Sequence, residues 1–188
     1  MHARTAPLLV LCLLAAPLAA RAQQPTNDTV KDRVMALLAA FEHVPSAEEF
    51  TSLGSGAQDV LVSVAKDEAQ APFVRGRAVW ALQYFPNDAT RTTIAALLAC
   101  DDLDESIVER AVQALAFAFG QGALANVRGY LDDGRADVRE AAARALGTIG
   151  GDEAVRILRR RLDREGNGAV RSAIEEEIRR VEGAGVSD

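Results

Sequence analysis

The sequence predicts an all-α fold, an α-solenoid built from stacked helix–turn–helix repeats. Three observations carry that prediction. First, an apolar stripe recurs from the anchors Val74, Ile107, Val138 and Val170, at spacings of 33, 31 and 32 residues. Each anchor is followed at +4 by Ala78, Ala111, Ala142 or Ile174, and at +8 by Leu82, Leu115, Leu146 or Ile178. Offsets of four share one face of an α-helix. Second, a further pair follows the first three anchors at +20 and +24: Ile94 and Leu98, Val127 and Leu131, Leu158 and Leu162. Each unit therefore holds two helices in fixed register. Third, hydrophobic residues make up 49% of the 188 residues but aromatics only 5%, so the core is aliphatic and suits helices better than sheets. One unit cannot bury its stripe alone, and stacking on neighbours gives a continuous core.

The elements follow in order. Residues 1–22 have the pattern of a secretory signal peptide. His2 and Arg4 make a basic start, and residues 8–20 form an uncharged apolar run too short to span a bilayer. Ala20-Arg21-Ala22 then offers a small-x-small cleavage site, and Leu11 before Cys12 argues against lipidation. Export to the periplasm or to the medium is expected, with a mature start at Gln23 and a disordered linker over 23–27. The solenoid is expected over 28–182 and a disordered tail over 183–188.

A helix over 28–41 should present Val30, Val34, Leu37, Leu38 and Phe41 on one face. Val30 lies 44 residues before Val74, so the excess over one repeat falls in 43–56, an irregular first repeat or cap. Ser46 is placed to cap a short helix over 47–53. Val60 and Val64 repeat the second-helix stripe 34 residues before Ile94 and Leu98. Pro86-Asn87-Asp88, Gly120-Gln121-Gly122 and Gly150-Gly151-Asp152 break the two helices of each unit, with Asp88 and Asp152 as expected N-caps. Asp101-Asp102, Asp132-Asp133-Gly134 and Gly166-Asn167-Gly168 separate successive units. Residues 170–181 replace the +7 alanine by Glu177 and read as a polar terminal cap.

Charge and residue types exclude several chemistries. The chain carries 21 basic and 27 acidic residues, a net charge of −6. Cleavage after residue 22 would remove Arg4 and Arg21 and no acid, which makes the mature protein more acidic still. Such a chain is a poor ligand for nucleic acid or an anionic membrane, and no membrane insertion is expected once the signal is gone. Cys100 and His43 would be the only cysteine and histidine left, too few for a zinc site. The sequence has no HExxH, no nucleophile elbow and no phosphate- or dinucleotide-binding loop. No catalytic residue, metal or cofactor is therefore assigned. Asp101, Asp102, Asp104 and Glu105 crowd one turn, but their spacing matches no calcium loop.

The stretch 137–154, DVREAAARALGTIGGDEA, closely resembles the HEAT-like repeat first named from phycobilin lyases. The resemblance covers about residues 71–181 well and 28–66 loosely. It implies a right-handed solenoid with the second helices on the concave side. It also implies an alternative activity, that of a lyase or chaperone-like lyase subunit, against which export argues. The deoxyhypusine hydroxylases share the architecture but bind two irons through His-Glu pairs, and no His-Glu dipeptide occurs here.

The expected function is thus that of an exported, non-catalytic binding or scaffolding module for a protein or peptide. Offset +6 is Trp80 in the first unit and Gln113, Arg144 and Glu176 in the others; +10 gives Tyr84 and Phe117, and +3 gives Arg77 and Arg110. Trp80, Tyr84 and Phe117 with those two arginines have the composition of an interface hot spot. The competing expectation is that the irregular N-terminal segment folds over Trp80, or that neighbouring first helices bury this flank. Arg128 and Arg159 share offset +21 and would form a column on the concave side. The other arginines around them (Arg156, Arg160, Arg161, Arg164) read as a solvated face. Cys100, at +26, is expected in a turn partly open to solvent.

Overall fold

The apolar stripes pack into the core where the spacing placed them, with Val60, Val74, Leu98 and Leu162 half-buried at its edge. A computed structural model of the chain describes residues 27–40, 42–100 and 102–184. The expected signal segment, most of the linker, Phe41, Asp101 and the last four residues lie outside them. The described residues form helices α1 (Asn27–Ala39), α2 (Ala47–Thr51), α3 (Gly56–Lys66), α4 (Pro72–Ala81), α5 (Asp88–Leu98), α6 (Glu105–Phe119), α7 (Leu124–Val127), α8 (Ala136–Ile149), α9 (Gly151–Leu162) and α10 (Gly168–Ala184). No strand occurs among them. The fold is an all-α helical repeat solenoid.

Helices α4, α6, α8 and α10 pack side by side in that order, and α3, α5, α7 and α9 form a second layer against them. Helix α1 closes the N-terminal end against α3 and α4. Every +4 residue (Ala78, Ala111, Ala142, Ile174) is fully buried, and the +8 residues Leu82, Leu115, Leu146 and Ile178 are buried with them. The small +4 and +7 alanines bring neighbouring helices close. Each large aliphatic side chain in this seam contributes about 1.5–3 kcal/mol of burial. None of the helices is long and apolar enough to cross a membrane.

The joints between units are held by an arginine that the periodicity did not single out. It occupies offset +1, directly after the anchor. Arg75 Nε donates to Ala65 O at the end of α3 (3.2 Å). Arg139 Nη1 donates to Asp133 O and Gly134 O (2.9 and 3.0 Å). Arg171 Nη1 donates to Leu162 O and Glu165 O (2.7 and 3.0 Å). A helix end leaves its last carbonyls without partners and carries partial negative charge, so a guanidinium there answers both needs. The second unit has Val108 instead, buried. There Tyr130 Oη reaches Leu98 O (3.4 Å) and Arg135 Nη1 reaches Leu103 O (3.3 Å).

Several local expectations need correction. The second helix of the second unit is not continuous: α7 is a single turn between 3-10 segments Gly120–Ala123 and Arg128–Asp132. Gly122 and Gly129 sit within this stretch and weaken a regular helix. The N-cap of α5 is Asn87, whose side chain accepts from Thr90 N (3.1 Å), because Asp88 already lies in the first turn. Helix α9 starts from Gly150, at φ +69°, and Asp152 adds negative charge to its first turn. Ser46 does cap α2, in a reciprocal capping box with Glu49, though the helix stops at Thr51.

Glu177 is not a solvent-facing cap residue. It is 7% exposed, and its carboxylate lies where a Cβ on Gly147 would stand, only 1.8 Å away. Arg180 Nε holds it at 2.9 Å. The remaining polar residues of α10, Glu175, Glu176 and Arg179, are exposed, as a terminal cap requires.

Candidate functional site: an aromatic cleft at the N-terminal joint

A cleft of about 220 Å³ separates the irregular N-terminal segment from the first repeat. Its outer wall consists of Leu38 from α1, the loop residues His43, Val44 and Pro45, and Phe50 from α2. Its inner wall consists of Phe73, Arg77 and Trp80 from α4 and Arg110 from α6. Phe117, about two turns further along α6, meets Trp80 edge-on, with ring centroids 5.9 Å apart at 68°.

Exposure marks this place out. Among the described residues three large apolar side chains are exposed: Val44 (82%), Phe117 (63%) and Phe73 (39%). Two line the cleft, and the third is the ring on Trp80 beside it. Exposed apolar groups scattered singly mean little, whereas groups gathered around one concavity mark a contact surface.

The outer wall is held by Arg77. Its guanidinium donates to Ala40 O, to Leu37 O (3.2 Å) and to His43 O (3.1 Å), so it closes the C-terminal end of α1 and pins the loop that follows. It also lies over the Phe73 ring, 5.5 Å from its centroid. Burial, and then the like charge of Arg110, lower its pKa from the usual arginine value. Tyr84 supports the wall from behind: its ring stacks with Phe50 at 6.2 Å. Glu49 is the carboxylate of this rim, and it is already engaged. It accepts from Ser46 N (2.8 Å) and contacts His43 Nε2 (2.8 Å), and these bonds hold its pKa below the usual glutamate value.

Arg110 makes no hydrogen bond and no ion pair among the described residues. Its stem lies across α4 at Gly76, where a Cβ would come within 2.8 Å of Cδ. Glycine is thus what lets this side chain cross the helix to reach the cleft. Its sequence neighbour Glu109 turns the other way. Glu109, Glu105 and Asp137 bring carboxylate oxygens within 4.8 Å of one another. Burial, then the charges of Asp137 and Glu105, raise the pKa of Glu109.

The seven residues singled out from the sequence therefore separate. Trp80, Arg77 and Arg110 line the cleft, and Phe117 adjoins it. Tyr84 does not face it but braces Phe50. Arg128 and Arg159 are remote from it and do not form the expected column. Arg128 lines a groove with Arg160, Arg161 and Arg164, whereas Arg159 lines another and pairs with Glu182 (2.5 Å). Equal offsets fail there because Arg128 lies in a 3-10 segment and Arg159 in a regular helix. The N-terminal segment folds towards Trp80, yet stops short and leaves the cleft between. Phe73, Val44, Pro45 and Phe50 had not been singled out. Phe73 precedes the anchor Val74, and that adjacency was the available signal.

Cys100 is exposed in the turn after α5, its Sγ 3.6 Å from Ala96 O.

Residues 94–179 match the family model for HEAT repeats. This stretch is similar to HEAT repeats. No curated protein matches the chain. The match begins at Ile94 in α5 and ends within α10, so the cleft lies largely outside it, at the edge of the HEAT-like region. HEAT repeats are generally protein-interaction modules. Their +1 arginines and buried alanine seams account for the rigid stack, and the cleft is what the irregular first repeat adds to it.

Proposed function

We propose that this protein is a non-catalytic, HEAT-like protein-binding module that acts after export and engages a protein or peptide partner through the N-terminal cleft. The observation that carries this reading is the convergence of Val44, Phe73 and Phe117 on one concavity, around Trp80. Leaving such groups exposed gains nothing for folding, and aromatic anchors beside arginine are what binding hot spots use. Solenoids also suit the task, since their stacked repeats hold a long surface rigid. The likeness of residues 137–154 to the phycobilin-lyase type of repeat is taken as a likeness of the repeat alone. Export is supported by the basic start, the apolar run and the Ala20-Arg21-Ala22 pattern.

A photo-crosslinking residue placed at Phe117 in the native host should trap a discrete partner, and the same residue at Arg160 should not. Equal trapping at both positions overturns the cleft as the binding site. Mass spectrometry of the protein from the exported fraction should find Gln23 at its N-terminus. An intact Met1 in a membrane pellet would refute both cleavage and free export.

A further inference from the structure

The cleft is small for a free metabolite or cofactor, whose sites run to about 300–1,000 Å³. At about 220 Å³ it is sized for one or two side chains. Its apolar wall is Leu38, Val44, Pro45, Phe50 and Trp80. Its charge is one-sided. Arg77 is spent on three backbone carbonyls, none of which carries a full charge. Arg110 is half-buried and has no hydrogen bond or ion pair among the described residues, although the chain as a whole has an excess of acids. Of the nearby carboxylates, Glu49 is committed to Ser46 and His43, and Glu109 feels the charge of Arg110 but makes no ion pair with it and lies on the side of Glu105 and Asp137. Among the described residues, Arg144 pairs with Glu140 at 2.8 Å; Arg33, Arg128 and Arg179 have no such partner but are exposed to solvent, whereas Arg110 is half-buried. Here the stem is laid across Gly76, and the head stays at the mouth of an apolar cleft with no partner.

Resting on the protein-binding reading above, we propose that the cleft takes a partner segment in which one bulky apolar residue has an aspartate or glutamate within two positions. The apolar side chain enters between Trp80 and the wall from Val44 to Phe50, and the carboxylate pairs with Arg110. A guanidinium binds a carboxylate through two parallel hydrogen bonds, and beside an apolar surface that pair is shielded from water. The same pairing sets the register of the segment, because an apolar anchor alone could enter in several orientations.

The test uses N-acetylated, C-amidated oligoglycine peptides carrying one leucine or phenylalanine followed by glutamate, glutamine or lysine. Binding is read from the emission of Trp80, the single tryptophan in the chain. The glutamate peptides should bind on the order of tenfold more tightly than the glutamine peptides, and the lysine peptides most weakly. Arg110→Gln should abolish that ranking by bringing the glutamate peptides down to the affinity of the glutamine peptides. Arg110→Lys should retain most of it. Peptides that bind regardless of the neighbouring charge would overturn the carboxylate pairing and leave protein binding standing. If no apolar peptide perturbs Trp80, the docking of an apolar anchor itself falls. Octanoate, which has the same chemistry without a peptide, should bind more weakly than the glutamate peptides. If it binds as tightly, the site belongs to an amphiphile and the proposal is overturned.

Discussion

The two ends of the solenoid close their joints in opposite ways. At the C-terminal end, α8, α9 and α10 meet around a buried charge. Glu165, 5% exposed, accepts from Arg139 Nε and Nη2 (2.9 and 3.1 Å), from Arg161 Nη2 (2.5 Å) and from Asn167 N (2.8 Å). These partners hold its pKa at about 2, against a usual value of 4.5. At the N-terminal end, α1, α2 and α4 meet through Arg77 on backbone carbonyls and through the Phe50–Tyr84 stack. The first joint consumes its carboxylate, and in the groove beside it Arg159 and Arg180 are paired with Glu182 and Glu177. The second leaves a cleft, exposed rings and an unpaired Arg110. The difference teaches where binding capacity resides in a repeat protein: in the unit that departs from the repeat, since the regular units spend their side chains on one another.

The sharpest way to test that contrast is to break the C-terminal joint. Glu165→Ala should cost on the order of 3–5 kcal/mol in chemical denaturation, because it strands Arg139 and Arg161. Acid should act on the same group. Its folded pKa lies below the unfolded one, so its contribution is complete above about pH 4.5 and is lost as pH falls towards 2. The amount lost is on the order of 3 kcal/mol, and Glu165→Gln should flatten the pH dependence in that window. Stability that does not change between pH 4.5 and 2 would remove the buried ion pair from the account.

The shared seam comes next. Leu146→Ala should cost about 2–5 kcal/mol, because Leu146 is fully buried at +8. Arg160→Ala should cost less than about 0.5 kcal/mol, because Arg160 is exposed. Equal losses would mean that the register is wrong. A smaller, local effect is expected at the N-terminal joint. Arg77→Ala should cost about 1–3 kcal/mol, from the carbonyls of Leu37, Ala40 and His43 left without a donor. Hydrogen exchange should show the loss confined to α1, the loop after it and α2, with α8 to α10 still protected. A small effect on stability, about 1 kcal/mol from the lost edge-on contact with Trp80, is expected for Phe117→Ser. Since Phe117 is exposed, this variant should nonetheless lose partner binding. A large fall in stability would instead make Phe117 a packing residue and dissolve the contrast.

Much of this architecture was legible in the sequence because a repeat states its register several times. Val138, Ala142 and Leu146 are read correctly, since Ile107, Ala111 and Leu115 say the same thing 31 residues earlier. Half of the cleft was legible for the complementary reason. Trp80 stands where other units carry polar residues, so it is conspicuous as a violation. The opposite wall was not legible. Val44, Pro45 and Phe50 belong to a segment with no counterpart in the other units, so no periodicity could say which way they face. The partners of Arg77 are backbone carbonyls, which have no residue signature. Gly147 looked like an ordinary helix residue until Glu177 was found in the space that its missing side chain leaves. The Arg128–Arg159 column failed because counting offsets assumes that both segments keep the same helical pitch.

The anchoring of the cleft's outer wall has a thermodynamic consequence. An occupant touches the segment 43–50 on one side and α4 on the other, so it bridges two parts of the chain that Arg77 ties by hydrogen bonds. Binding energy and local folding energy then enter a single linked equilibrium. A ligand at a hundred times its dissociation constant adds about 2.7 kcal/mol to the closed form. Reciprocally, every weakening of the clasp at Arg77 is deducted from affinity, because the partner must first gather the wall it binds. The measurable result is that hydrogen exchange in 37–50 slows with ligand concentration while that of α8 to α10 does not change.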